Sequence, residues 1–193
     1  VTVVPSITGL AEADRFVALL AELSGRPVPP KVRRARARLV DAMLDGHFHC
    51  GGKRLAIAGE PDLVASLSRF CASLGARTVV AVAATGQSPA LQGVPADEVH
   101  VGDLGLMEEL ARAAGVDLVI SNAHAGLASE RLGVPLYRVG FPIFDRLGGQ
   151  HQLSVGYEGT MALIFALSNL FQASRHHATP DALDPFRATG SHP

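Results

Sequence analysis

The sequence predicts an α/β domain in which a doubly wound, mostly parallel, Rossmann-like sheet is flanked by helices. Between residues 53 and 139, five short apolar segments alternate with stretches of helical periodicity, which is the pattern of βαβ units. Hydrophobic residues make up 48% of the 193 residues but aromatic residues only 5%. We therefore expect a core built mainly from Ala, Val and Leu, as in helices packed closely on a buried parallel sheet.

The segment before the sheet predicts two helices joined by a proline-containing link. The first helix is expected over residues 12–23, with Ser6 or Thr8 as its N-cap, and the second over residues 31–48. The first half of the second helix is basic. We favour a solvated helix face there and keep a contact surface for an acidic partner as the alternative.

The sheet and its connecting helices follow in alternation. Strands are predicted at residues 54–59, 78–84, 98–101, 117–121 and 136–139; helices are predicted at residues 62–74, 103–114, 126–132 and 156–174. We divide the chain into three parts. Residues 1–30 are expected to be a helical remnant of a preceding domain with its linker, and residues 31–174 are expected to form the Rossmann-like domain with its long first and last helices. Residues 175–193 are a polar tail that we expect to be disordered.

Ligands of such sheets bind beyond the carboxyl ends of the strands. The candidate segments there are residues 59–62, 85–88, 102–103, 121–124 and 140–146. A Gly-x-Gly-x-x-Gly turn and a Walker loop are both missing from the sequence, so a dinucleotide or nucleoside triphosphate site has little support. In the last segment, Gly140 and Pro142 shape a turn, and we expect Phe141, Ile143 and Phe144 to be buried.

Two groups of side chains could carry metal chemistry. Asp41 and Asp45 are four residues apart on one helical face and could share a hard cation, although exposed pairs of this kind are common. His47, His49 and Cys50 lie close together in sequence, but a tetrahedral zinc site needs a fourth ligand that nothing nearby supplies.

Ser121 and His124 are the polar candidates at a strand end. Without a third member or an oxyanion hole they are weak evidence for a hydrolase, and we favour hydrogen bonding of Ser121, Asn122 and His124 to neighbouring loops. A stand-alone enzyme that uses a nucleotide-linked substrate at residues 121–124 is the distant alternative.

Bulk properties exclude several classes of protein. The net charge of −1 gives no basic field for nucleic acid, and no apolar run approaches the roughly 20 residues of a membrane span. Two cysteines, Cys50 and Cys71, are too few for a disulfide framework. We expect a cytoplasmic protein, and the start at Val1 without Met leads us to expect a fragment or a processed product.

Four stretches carry a resemblance to a known family. They are residues 38–47, residues 52–62, the Gly-Phe-Pro-Ile-Phe-Asp-Arg of residues 140–146, and the Val-Gly-Tyr-Glu-Gly of residues 155–159. In this order they resemble the C-terminal domain of β-type subunits in the nitrogenase component 1 family, over residues 5–171. Residues 45–54 are most similar to the β-like subunits of the scaffold that matures the nitrogenase iron–molybdenum cofactor.

The resemblance implies the C-terminal portion of a scaffold subunit that pairs with a NifE-type subunit in a heterotetramer, on which the nitrogenase iron protein docks transiently. The complex is implied to carry iron–sulfur clusters and a cofactor precursor, but no cofactor is expected within this chain. The cluster cysteine of β-type subunits lies in an N-terminal domain, and residues 155–159 lack the histidine that the α-type subunits have there. Whether the chain takes any catalytic part is left open, and its expected role is structural and docking.

The same resemblance makes Asp41 and Asp45 a possible inter-subunit cation site, because a matching aspartate pair in the catalytic β subunits contributes to a metal site between the halves of the tetramer. The close alternatives are the β subunit of the nitrogenase molybdenum-iron protein and the β-type subunit of a related chlorophyll-pathway reductase.

Overall fold

The computed structural model describes residues 2–4, 6–86 and 88–177. Within them the helices are α1 (Leu10–Ser24), α2 (Pro30–Cys50), α3 (Pro61–Ser73), α4 (Leu104–Ala114), α5 (Gly126–Leu132) and α6 (Gly156–His177). The strands are β1 (Arg54–Gly59), β2 (Arg77–Ala83), β3 (Val99–Val101), β4 (Leu118–Ser121) and β5 (Leu136–Arg138). Short 3₁₀ turns occupy Pro89–Leu91, Ala123–Ala125 and Gly149–His151.

The five strands form one parallel sheet in the order β3-β2-β1-β4-β5. Strand β1 is central, and Ile57 pairs with Ala81 on one side and with Ile120 on the other. The strand order reverses between β1 and β4, which makes their junction the topological switch point where doubly wound sheets bind ligands. The predicted fold class is confirmed, and each predicted strand is present with small differences in its bounds.

Both faces of the sheet are covered by helices, and the side chains of β1 alternate between two hydrophobic clusters. Leu55 and Ile57 face the larger cluster, to which α2, α3 and α6 contribute buried side chains such as Leu39, Phe70 and Ile164. Ala56 and Ala58 face the smaller cluster, beneath α4 and α5, whose members include Met107, Val119 and Ala128. Burial on both faces explains why the inner strands β1, β2 and β4 read as continuous apolar runs, whereas Val99 and Val101 of the edge strand β3 are exposed.

The predicted side-chain caps of α1 are wrong. Gly9, with a φ of 104°, precedes the helix as its N-cap, and no side chain caps it. Ser6 instead shares a hydrogen bond with Ser66, with the two hydroxyl oxygens 2.6 Å apart, and the hydroxyl of Thr8 donates to the backbone oxygen of Ser154 at 3.0 Å. Both hydroxyls are therefore used in contacts with distant segments, which local sequence patterns do not reveal.

An ion pair and a tyrosine fasten α1 to α2 and α6. Arg36 binds the carboxylate of Asp14 through two nitrogens at 2.8–3.0 Å, and the hydroxyl of Tyr157 donates to the same carboxylate at 2.7 Å. Ala13 of α1 is buried in the larger cluster. Helix α1 thus packs on the Rossmann-like unit, while the division of the chain at residue 30 stays a prediction.

The basic half of α2 is exposed, which fits both a solvated face and a contact surface for an acidic partner. Arg36 and Arg38 form ion pairs with Asp14 and Glu158, respectively. The other basic residues of this half, Lys31, Arg33 and Arg34, lie at the surface and make no ion pair within the described residues.

The last helix extends three residues beyond the predicted end at residue 174. The remainder of the predicted tail, residues 178–193, lies outside the described residues. Among the helices that the structure does describe, none has the length and apolar character needed to cross a bilayer.

Candidate functional site

A cavity of about 380 Å³ opens at the switch point, and we call it the strand-end pocket. Turns that follow strands β1, β3, β4 and β5 line it, so four of the five predicted segments meet there. The lining includes Glu60, Leu63, Asp103, Leu104, Ser121, Asn122, Val139 and Phe141. The fifth segment, residues 85–88, contributes no lining in the part of the chain that the structure describes.

Two acidic residues line the strand-end pocket, each next to the N-terminus of a helix. Glu60 immediately precedes α3, and Asp103 precedes α4 and accepts a hydrogen bond from the backbone N–H of Leu106 at 3.0 Å. A helix N-terminus is equivalent to about half a positive charge, so two full negative charges outweigh two helix ends. No Lys, Arg or His is among the described lining residues. The pocket therefore disfavours phosphates and other anions, which helix N-termini otherwise bind.

Ser121, at the end of β4, borders the pocket. Ser121 is fully buried, and its hydroxyl has no hydrogen-bond partner within the described residues. The next residue, Asn122, donates from its amide nitrogen to the backbone oxygen of Phe141 at 3.1 Å and accepts from the backbone N–H of His124 at 3.0 Å. Hydrogen bonding to a neighbouring loop is thus confirmed for Asn122 and wrong for the side chain of Ser121.

His124 is exposed and does not form a pair with the buried hydroxyl of Ser121. Its ring makes an edge contact with Phe144, with the ring centroids 5.2 Å apart. A serine hydrolase needs its serine hydroxyl hydrogen-bonded to a base, so the geometry gives no support to nucleophilic catalysis at residues 121–124.

The segment after β5, residues 140–147, borders the pocket, and we call it the aromatic loop. The guanidinium of Arg138 binds the carboxylate of Asp145 at 2.6–2.8 Å, and the backbone N–H of Ala123 donates to the backbone oxygen of Pro142 at 3.0 Å. The hydrogen bond and positive charge of Arg138 lower the pKa of Asp145. A cis peptide bond joins Phe141 to Pro142. The loop is therefore held in one shape by contacts at both of its ends.

The predicted burial of the aromatic loop is wrong. Phe141 is 80% exposed and Phe144 67% exposed, Leu147 is fully exposed, and only Ile143 is partly buried. The bracing contacts explain the difference, because they fix the backbone with these rings outside the core. Apolar residues predict burial against something, but they do not identify which surface covers them.

The predicted metal-ligating residues lie on or near the end of α2 without forming a centre. Asp41 and Asp45 are both exposed, and no group of three or more His, Cys, Asp or Glu side chains comes together within the described residues. A cation shared by this pair would need further ligands from another chain. The inter-subunit cation site stays a prediction.

The three other residues at this helix end have separate partners. The ring of His47 lies against Gly75, His49 has its Nε2 3.1 Å from the side-chain nitrogen of Gln172, and the sulfur of Cys50 lies 3.9 Å from the hydroxyl of Ser168. Cys50 and Cys71 are buried free thiols, and burial raises the pKa of both. A protonated, buried thiol is a poor ligand for a metal or cluster.

Sequence reasoning located the strand-end segments but missed what their acidic residues do. The order Gly59-Glu60 and Gly102-Asp103, a glycine at a strand end followed by a carboxylate, was the available signal. Such a residue in front of a helix takes the place that a phosphate or another anion would occupy.

Comparison with known proteins places this geometry in a family. Residues 1–172 match the family described as "Nitrogenase component 1 type Oxidoreductase". A solved structure described as "Nitrogenase Cp1 at pH 6.5" superposes with a TM-score of 0.84 at 29% sequence identity, covering 90% of this chain and 40% of that chain.

Several relatives carry the description "Nitrogenase iron-molybdenum cofactor biosynthesis protein NifN". The protein of Mesorhizobium japonicum is 56% identical over 182 residues, that of Sinorhizobium fredii 49% over 184, and that of Rhizobium meliloti 55% over 168. These matches cover 94%, 95% and 87% of this chain. The chain spans only 38–39% of the length of these curated relatives.

Proposed function

Because the chain belongs to the family of nitrogenase component 1-type oxidoreductases, we propose that it is part of a NifN-type scaffold subunit that takes part in biosynthesis of the nitrogenase iron–molybdenum cofactor. The observation that carries the proposal is the level of identity. The chain is 49–56% identical to three relatives named NifN, but 29% identical to the nitrogenase component that shares its fold. This contrast favours a scaffold subunit over a catalytic β subunit.

The role that we propose for this part of the subunit is structural and docking, without a cofactor of its own. Its strand ends carry net negative charge at the pocket mouth, which opposes anionic nucleotides and clusters, and its two thiols are buried and protonated. In this proposal the iron–sulfur clusters and the cofactor precursor are held elsewhere in the complex. The partners are a NifE-type subunit and, transiently, the nitrogenase iron protein.

We further propose that the chain forms the C-terminal portion of its subunit and that the subunit is cytoplasmic. The aromatic loop supports the docking part of this role, because it presents braced apolar side chains next to the pocket instead of burying them. The stand-alone nucleotide enzyme is disfavoured by the charge of the pocket and by the unpaired Ser121.

A segment exchange tests the proposal. The 193 residues replace the matching region of the Mesorhizobium japonicum relative, and the chimera is co-expressed with the NifE-type subunit of that organism. We expect the chimera to co-purify with that subunit and to support maturation of the cofactor. The matched control exchanges the corresponding segment of a catalytic nitrogenase β subunit, and we expect it to fail in maturation. The proposal is overturned if the chimera fails to co-purify or to support maturation while the unaltered relative does both, or if the control supports maturation as well as the chimera does.

A further inference from the structure

We propose that a second cavity of the chain is a binding site for a small organic molecule that carries one carboxylate on an apolar body. We call this cavity the Tyr137 pocket. Residues of α3, β5, the aromatic loop and the segment 149–154 line it, and its volume is about 240 Å³. Such a site goes beyond the docking role proposed above and does not depend on it.

A buried tyrosine without a hydrogen-bond partner marks the site. Tyr137 is only 6% exposed and lines the pocket, and its hydroxyl makes no hydrogen bond within the described residues. A buried tyrosine hydroxyl normally has a partner. The described side-chain atoms that are both unpartnered and sealed from solvent belong to Ser68, Thr78 and Ser121. The hydroxyl of Tyr137 is not one of them, so it keeps accessible surface and a ligand in the pocket can reach it.

The charge around Tyr137 selects an anion. Burial raises the pKa of the Tyr137 phenol and the positive charge of Arg146 opposes that shift, so this guanidinium lies near the hydroxyl. The side chain of Arg146 makes no hydrogen bond or ion pair within the described residues, whereas Arg138, which lines the pocket, is neutralised by Asp145. No Asp or Glu is among the described lining residues. A ligand carboxylate therefore meets one unpaired positive charge and one hydroxyl donor.

The remaining walls suit a small apolar body. Leu67 and Leu163 are buried and Ile143 is partly buried, and all three line the pocket. The hydroxyls of Thr8 and Ser66, which also belong to the lining, are already hydrogen-bonded within the chain. The volume lies below the roughly 300 Å³ at which pockets for drug-sized ligands begin. The pocket therefore accepts a molecule with one polar end, directed to Tyr137, and a short hydrocarbon part.

The test is an NMR titration of the ¹⁵N-labelled 193-residue chain with cyclohexanecarboxylate. We expect saturable shifts of the amides of Gly149 and Ser154, which line the Tyr137 pocket. The amides of Gly59 and Gly102, which line the strand-end pocket instead, should not shift. Cyclohexanecarboxamide has nearly the same shape without the charge, and we expect it to bind about tenfold more weakly or less, because a hydrogen bond to a charged group is the stronger one.

Tyrosine fluorescence reports on the contact with the carboxylate. The chain has two tyrosines and no tryptophan, so in Tyr157→Phe the emission comes from Tyr137 alone. We expect the probe to change this emission saturably, with the dissociation constant that NMR gives. Binding that shifts the amide of Gly149 but leaves the emission unchanged would place the carboxylate away from Tyr137 and would contradict the proposed site.

Variants define the site. Tyr137→Phe removes a hydroxyl that has no partner among the described residues, so it should fold as the wild type does and weaken binding about tenfold or more, the effect of one hydrogen bond to a charged group. Arg146→Gln should weaken binding roughly two- to fivefold, the effect of one exposed ion pair. Arg34→Gln, at an exposed position of α2 outside the pocket, is the matched control and should bind as the wild type does.

A second titration separates a small molecule from a carboxylate of the remaining subunit, which could fill the same pocket. We expect calorimetry to show that the purified chimera of the segment exchange binds cyclohexanecarboxylate as the isolated chain does. Loss of binding in the chimera would overturn the proposed site, as would equal binding of the carboxamide or unchanged affinity in Tyr137→Phe. The titration of the isolated chain requires no NifE-type subunit, so its outcome is separate from that of the segment exchange.

Discussion

Gly46 of α2 lies close against Ile164 of the last helix, and Gly46→Ala should destabilise the protein. A Cβ atom at this position would lie 2.6 Å from Cγ2 of Ile164 and 3.3 Å from a methyl carbon of Leu74. Favourable carbon–carbon contacts lie at about 3.5–4.0 Å, so the Ile164 methyl would have to move by roughly 1 Å. Both neighbours are completely buried.

The sign of the effect depends on two opposing contributions. Alanine is a better helix former than glycine by about 1 kcal/mol. Overpacking a filled core costs about 1–3 kcal/mol, and the upper part of that range applies because a β-branched isoleucine in a helix has essentially one χ1 rotamer. We expect a net loss of about 1–2 kcal/mol in the free energy of unfolding, or roughly 2–8 °C in Tm for a chain of this size.

Urea unfolding followed by circular dichroism measures this loss. Gly126→Ala is the matched control: Gly126 is helical with a φ of −54°, and its added Cβ would meet nothing within 4 Å. We expect that variant to keep or slightly raise the stability. Ile164→Leu, which removes the branch at Cβ, should recover part of the loss in the Gly46→Ala background. Unfolding of Gly46→Ala at the same urea concentration as the wild type would show that the packing around Ile164 accepts the added methyl group without cost, contrary to this prediction.

Further predictions concern the loop, the ion pair and the thiols. Phe144→Ser should leave urea stability within about 0.5 kcal/mol, because the ring is mostly in water; a large stability loss would contradict this. Partial burial favours a higher pKa for Asp14, but its hydrogen bonds to Arg36 and Tyr157 outweigh that effect and lower the pKa. The stabilisation that the ionised Asp14 gives is therefore complete above about pH 4 and is lost as the pH falls through the lowered pKa. The stability difference between wild type and Asp14→Asn should shrink below pH 4. Burial and the hydrogen bond to the carboxylate of Asp14 raise the pKa of Tyr157 to about 12. The wild type should therefore lose stability between about pH 10 and 12, and Tyr157→Phe should not show that loss. Cys50 and Cys71, both buried, should react with Ellman's reagent only after denaturation; fast labelling of the native chain would refute the burial.

Much of the fold could be predicted because its signals are local. The apolar runs, the glycines that end helices and Pro61 at the start of α3 each depend on a few neighbouring residues, and they recover the order of strands and helices. Strand ends could be identified as the binding region for the same reason, since a parallel sheet brings them to one edge.

The rest could not be predicted because it depends on contacts between distant residues. Thr8 has a typical capping side chain, but its hydroxyl donates to Ser154, 146 positions away. Phe141 and Phe144 look like core residues, and no local pattern shows that Arg138 and Asp145 hold the loop outside the core. The charge of the pocket likewise appears only when the turns after β1 and β3 come together.

The attachment of α1 has a consequence for the order of events during synthesis. Tyr157, which donates to Asp14, is made 143 positions later, and Thr160, whose hydroxyl accepts from the backbone N–H of Gly9, follows 151 positions after that glycine. At ribosomal rates of about 5–20 residues per second, α1 waits on the order of 10 s for its docking surface. A nascent chain stalled before α6 would therefore hold α1 only through its contacts with α2, such as the Arg36–Asp14 ion pair, and would lack the hydrogen bonds to Tyr157 and Thr160.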